Sequence, residues 1–503
     1  MRSPHQNNEN NKNNHMKKLS LLVLALAVLG SARAAVRLPH VLSDGMVLQQ
    51  QSSARLWGWA TPGATVSVTA SWNGGKTVTA KAAKDGKWEA RVTTPAASFT
   101  KQTITFTENK DGKGGKVTLH DVLIGEVWVC AGQSNMEFPV KGFGNCPLKD
   151  YNNVVAEASR YDGIRYVKIP SVKSTKPLDD AQCSWKAADV DNVADCSAVG
   201  YFFARQLRSA LNIPVGLILA NKGGTRVESW LDKANLEKYT KETLDSTEMT
   251  RKFQYDYLYP LLWGNGTFHP ILNYTVKGII FYQGCSNVGD PGNQYSDRLS
   301  QLVNQWRRDF GEGNIPFYFV QLVPYADGGD PNGTQRAYLE EQQMRAADMI
   351  PNSGLICTND LAYPWEQNQI HPSNKKPVGD RLGWLALEKT YNKKGFEAES
   401  PRFDSMFIHG DTCFIRLKNT YGGISRYSDI EGFEVAGADK VFHKATAGHF
   451  WVPGNDPRNE TIYVISPDVK EPVAVRYCFR NFQIGNLGGN NGLPLFPFRT
   501  DRW

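Results

Sequence analysis

Four short segments carry side chains suited to acyl transfer. Residues 130–137 read Cys-Ala-Gly-Gln-Ser-Asn-Met-Glu, and Ser134 follows an apolar run that suits a buried strand. A serine on the tight turn past a strand end can present its hydroxyl to a cleft. The same turn aims backbone N–H groups at an oxyanion. Residues 221–230, Asn-Lys-Gly-Gly-Thr-Arg-Val-Glu-Ser-Trp, put Gly223 and Gly224 just past a second apolar run. Paired glycines there allow close backbone approach to a ligand and free an N–H. Residues 282–287, Tyr-Gln-Gly-Cys-Ser-Asn, supply the amides of Gln283 and Asn287, neutral donors that need not ionise. Residues 369–375, Gln-Ile-His-Pro-Ser-Asn-Lys, bring His371, an imidazole able to act as general base for Ser134. One hydroxyl, one imidazole and a set of neutral donors are the parts of a serine esterase.

The elements that must position these groups are legible as texture. Strand candidates at 125–131, 215–220, 278–282, 317–322 and 354–358 alternate with helical spacing over 199–211, 295–310 and 335–349. This predicts an α/β domain over 122–394 with a parallel sheet. Ligands of such sheets sit beyond the carboxyl ends of the strands, where all four segments fall. Residues 36–121 alternate apolar and polar residues between Gly and Pro turns and predict an N-terminal β-sandwich. Residues 395–503 again read as a β-rich domain, either a second sandwich or the completion of the first.

In this order and spacing the blocks carry a family resemblance. Gly-Gln-Ser-Asn-Met at 132–136, Gly-Gly-Thr with Glu-Ser-Trp at 223–230, Tyr-Gln-Gly-x-x-Asn at 282–287 and Ile-His-Pro-x-x-Lys at 370–375 resemble the sialate O-acetylesterase family of SGNH hydrolases. The resemblance implies a flavodoxin-like α/β/α sandwich. It also implies a serine nucleophile at Ser134, a base at His371, and an oxyanion hole from the Ser134 N–H, Gly223 or Gly224, and Gln283 or Asn287. The implied substrate is an O-acetylated sugar, with sialic acid first, acetylxylan or another polysaccharide second, and no cofactor or metal. Arg226 is the candidate partner for a sialate carboxylate, against a purely structural pairing. The chain departs from the family twice. Cys285 stands where Glu is common, and Asn368 and Gln369 stand where an acid usually precedes the histidine. Asp360 is the preferred substitute acid, with Glu366 or a bare Ser–His dyad as alternatives. A catalytically weak carbohydrate-binding protein is the rival from another class.

Composition adds the setting. With 503 residues, 41% hydrophobic and 21% charged, the chain is long enough for two or three domains and is not of disordered composition. Met16-Lys17-Lys18, an apolar run from Leu19 and Ser31-Ala-Arg-Ala-Ala form a signal-peptide pattern, so residues 1–34 are expected to be a leader. The apolar run is too short for a membrane span, and export to the periplasm or the exterior is expected. Removing 1–34 takes five basic residues and one acid from a formal charge of +7. The modest surplus left gives no reason to invoke nucleic acid. The eight cysteines form no CxxC pair, and their pairing stays open.

Overall fold

The computed structural model describes residues 36–503 apart from 113, 426–428 and 455–456. The expected leader at 1–34 lies outside the described residues. Two compact units are present. The first holds Trp57–Ala90, Ile104–Thr118 and the described residues up to Leu38. In it Thr65–Ala70 pairs antiparallel with Thr77–Lys81 and with residues 104–109. Val66, Val68, Ile104 and Phe106 are buried there, as strand alternation dictates.

The second unit holds Pro39–Leu56, Arg91–Thr103 and Leu119–Trp503. Its centre is a sheet of seven strands: β1 (Lys116–Gly132), β2 (Ile164–Lys168), β3 (Trp185–Ala187), β4 (Val215–Asn221), β5 (Gly278–Tyr282), β6 (Phe317–Val320) and β7 (Ser353–Ile356). They lie in the order β7-β6-β5-β1-β4-β2-β3. All neighbours are parallel except β2 and β3. The five strands expected from sequence are β1 and β4 to β7, and in space they run 2-1-3-4-5. The chain therefore leaves β1 first to one side and then to the other, and the crevice at that switch point opens at the end of β1. The helices expected from sequence, among them one read over 378–387, are α2 (Ala198–Leu211), α3 (Gln294–Phe310), α4 (Gln335–Met349) and α5 (Lys376–Lys389); the short α1 (Ser134–Glu137) follows β1 directly. The antiparallel edge made by β2 and β3 was not anticipated, because five- and three-residue strands carry little pattern.

The β-rich stretch after 395 belongs to the second unit rather than forming a third. It has two four-stranded antiparallel sheets, one around Thr412–Lys418 and one around Phe433–Ala436, and a two-stranded pair of Ile424–Ser425 with Gly488–Gly489. Cys413, Ile415, Val435, Ile462, Val464, Val475 and Tyr477 from both sheets share one core. This region is thus a sandwich with its own interior. It is pinned to α4 by Arg499, bidentate to Glu341 at 3.0 and 2.9 Å, and by Arg402 to Asp348 at 2.9 Å.

Helix α5, which follows the His371 loop, is held tightly on α2. Gly379 and Gly383 are one turn apart on the contact face. A Cβ at Gly379 would lie 2.5 Å from Phe202 Cβ and 2.7 Å from the Val199 carbonyl oxygen. Gly379→Ala is expected to lower stability by about 1–3 kcal/mol through overpacking, read as a reduced denaturation midpoint at unchanged slope.

Candidate active site

The turn that carries Ser134 begins with a backbone requirement. Gly132, the last residue of β1, has φ +133°, and a Cβ there would come within 2.2 Å of the Tyr282 carbonyl oxygen. Only glycine lets β1 end this close to β5. Gln133 follows, buried, its Oε1 accepting the Gly284 N–H at 2.7 Å. Ser134 then opens α1 half-buried, and neither its hydroxyl nor its N–H bonds to any described residue. An N–H in the first turn of a helix has no intrahelical acceptor.

Asn135 ties this turn to the His371 loop. Its Nδ2 donates to the Ile370 carbonyl at 3.0 Å, and its Oδ1 accepts from Lys375 Nζ at 2.6 Å. Residues 370 and 375 bracket His371, so the structure brings together the two segments that hold Ser134 and His371. Lys375 is fully buried over the rings of Phe138 and Tyr282. Burial pulls its amine down to about 7.

His371 is half-buried beside Phe143, with ring centroids 5.1 Å apart, and Phe138. Its Nδ1 lies 3.8 Å from Cys146 Sγ. Its Nε2 is buried and has no partner among the described residues. Burial, and then the charge of Lys375, push its pKa down to about 4. The imidazole is therefore neutral, and able to accept a proton, across the whole physiological range.

The expected third acid is not at the ring. Asp360 is bidentate to Arg381 at 2.7 and 2.6 Å. Glu366 spends its two oxygens on the N–H groups of Ser373 and Tyr363, at 2.9 and 3.0 Å. Among the described residues no carboxylate hydrogen-bonds to His371. Of the expected oxyanion donors, the Ser134 and Gly224 N–H groups are unengaged, while the Gly223 N–H donates to Glu137 Oε2 at 2.7 Å. Gln283 Nε2 donates to the Thr225 carbonyl and to Asn287 Oδ1, at 3.1 and 2.8 Å. Asn287 Nδ2 donates to Glu228 and Asp290, at 3.0 and 2.9 Å. Both amides are buried in a saturated network, which makes them the frame that shapes the Gly223–Gly224 turn. Arg226 is likewise occupied, with Nε on the Leu258 carbonyl and both terminal nitrogens on Glu242. Arg226, the candidate partner for a substrate carboxylate, is therefore paired with Glu242 in this structure. Cys285, in the position of the family's common Glu, lies 3.9 Å from Arg336 Nη1. Asn135, Glu137, Lys375 and Cys146 were passed over in the sequence reading. Asn135, Glu137 and Lys375 lie inside quoted motifs, but nothing marked Cys146.

A serine and a neutral imidazole at the switch point of a parallel sheet, with free backbone N–H groups beside the serine, place the molecule among the carboxylic ester hydrolases. A family model described as "Carbohydrate esterase, sialic acid-specific acetylesterase" matches residues 124–386. The chain belongs to that family. It is similar to the sialate O-acetylesterases of Homo sapiens, at 28% identity covering 76% of each chain, and of Mus musculus, at 27% covering 76% of this chain and 78% of that one. A solved carbohydrate acetylesterase from Xanthomonas citri is 32% identical, covers 93% of this chain and all of its own, and superposes with a TM-score of 0.81.

The depressed basicity of His371 has a kinetic sign. Protonation disables a general base, so kcat/KM on a small acetyl ester should hold as pH falls and be lost only near pH 4. An unperturbed histidine would lose it near about 6.5. Asn135→Ala, which strips Lys375 of its acceptor, should cost about 1–3 kcal/mol of stability and lower kcat, measured by denaturation and by initial rates.

Proposed function

We propose that this chain hydrolyses O-acetyl esters of sugars through an acetyl-enzyme on Ser134, on an SGNH-type α/β/α scaffold with α2 and α5 on one face and α3 and α4 on the other. The observation that carries the reading is the Asn135 bridge, which joins the nucleophile turn to a loop holding a neutral imidazole with a vacant Nε2. His371 Nε2 takes the Ser134 proton as the hydroxyl oxygen attacks the acetyl carbonyl. The Ser134 and Gly224 N–H groups receive the oxyanion. The sugar oxygen leaves with the proton, and water activated by the same imidazole releases acetate.

A sugar substrate also suits the loop that leads to His371. Trp365 is 78% exposed and stacks on Tyr363 with ring centroids 4.7 Å apart. Lys149 Nζ, 2.5 Å from the Tyr363 hydroxyl, braces the pair. One face of Trp365 is left to pack on a pyranose. The sialate O-acetylesterase relatives point to an acetylated sialic acid. The closure of Arg226 onto Glu242 favours a neutral acetylated glycan such as acetylxylan instead. We further infer that residues 1–34 direct export.

Acetate release should fall to background in Ser134→Ala; an intact wild-type protein that releases no acetate would leave a binding protein as the reading, and a Ser134→Ala variant as active as wild type would overturn the serine mechanism. Comparing kcat/KM on O-acetylated sialic acid and on acetylated xylan decides the substrate class. Trp365→Ala should raise KM several-fold on an oligosaccharide ester while sparing a small acetyl ester.

A further inference from the structure

The ring nitrogen that a catalytic carboxylate would normally address faces sulfur here. Residues 143–146 form a tight turn closed by two backbone bonds, Phe143 N–H to the Cys146 carbonyl and the reverse, both 3.0 Å. The turn and the chain after it are joined to the His371 loop on both sides of the ring. Gln369 Nε2 reaches the Asn145 carbonyl at 3.5 Å, and the Lys149 N–H donates to the Ser373 carbonyl at 3.0 Å. Cys146, 2% exposed, is thereby fixed with Sγ 3.8 Å from His371 Nδ1. Sγ also lies 3.3 Å from Asn145 Oδ1, an acceptor to which the thiol can donate. A thiol that donates there leaves its sulfur to accept from the ring.

We propose that Cys146 is the positioning residue of this esterase, its sulfur accepting the His371 Nδ1–H and so holding the tautomer that carries its lone pair on Nε2. The inference rests on the Ser134–His371 reading of the site. A thiol in this role differs from a carboxylate in one respect: it orients the ring without stabilising the imidazolium. The charged and titratable groups around the ring agree with that division. Burial holds the Cys146 thiol above its usual range, so it stays neutral. Lys375 contributes positive charge, and Glu366 is engaged by two backbone N–H groups.

The test has an arm that needs no catalysis. Nitrogen-15 NMR of His371 in the wild-type protein at neutral pH should show hydrogen on Nδ1, and a ring protonated on Nε2 would overturn the proposal. In kinetics, Cys146→Ala should lower kcat by between about 10- and 10⁴-fold, the larger figure being the loss when a catalytic imidazole sits in the wrong tautomer, with KM little changed. Cys146→Ser, which keeps an acceptor, should recover part of that loss. Cys146→Asp should move the acid limb of kcat/KM up by about 1–3 pH units, since a carboxylate favours the charged ring. Equal kcat in wild type and a folded Cys146→Ala, or a Cys146→Ser no better than Ala, would refute the role. If Cys146→Ala fails to fold, the wild-type tautomer and the Cys146→Asp limb still decide. Ser134→Ala retaining activity would instead refute the esterase site, and leaves the tautomer measurement unaffected.

Discussion

The site depends on one side chain that bonds in two directions. Asn135 donates to the carbonyl before His371 and accepts from the buried Lys375 after it. Neither bond takes part in chemistry. Both act in a dry interior, where an unmade hydrogen bond is costly, so the two loops cannot separate without stranding an amide and an amine. A short polar side chain next to Ser134 thus does what no sheet contact can do: it fixes a loop more than two hundred residues away.

Around this bridge the polar groups divide into those that are satisfied and those that are not. Gln283, Asn287, Glu228, Thr225 and Arg298 form a closed network beneath the Gly223–Gly224 turn. Asp360 and Arg381 close on each other. Ser134, the Gly224 N–H and His371 Nε2 remain open. Buried polar groups are nearly always paired, so the hydroxyl, the N–H and the ring nitrogen left open here are the groups available to a ligand. The same logic explains the electrostatics. With no carboxylate at the ring and an amine close by, burial decides the protonation state of His371, and it decides for the neutral base.

Much of the frame was readable before any coordinates. The five buried strands announce themselves as apolar runs, and three of the helices by their spacing, because a parallel sheet buries both faces and its helices bury one. Ser134 and the glycine turn drew attention because each sits where a strand ends, and His371 because its loop leads from the last strand to a helix. The two short edge strands escaped, and so did the joining of the C-terminal sandwich to the α/β unit, since both rest on contacts rather than on periodicity. Amide side chains in a family motif looked like oxyanion donors, and Arg226 looked like an anion partner, because a sequence shows a donor but not whether its hydrogens are spent.

The sequence by itself determined the parallel sheet, the placement of the motifs after its strands and, through those motifs, the family. The sheet and the motif positions follow from hydrophobic period and glycine placement, which are local properties of the chain, and the family from the resemblance of the motifs themselves. Only the tertiary structure decided which polar groups are closed and which are open, and that a thiol rather than an acid faces the His371 ring. Such pairing joins residues hundreds of positions apart, and whether a donor is free depends on the neighbour the fold supplies.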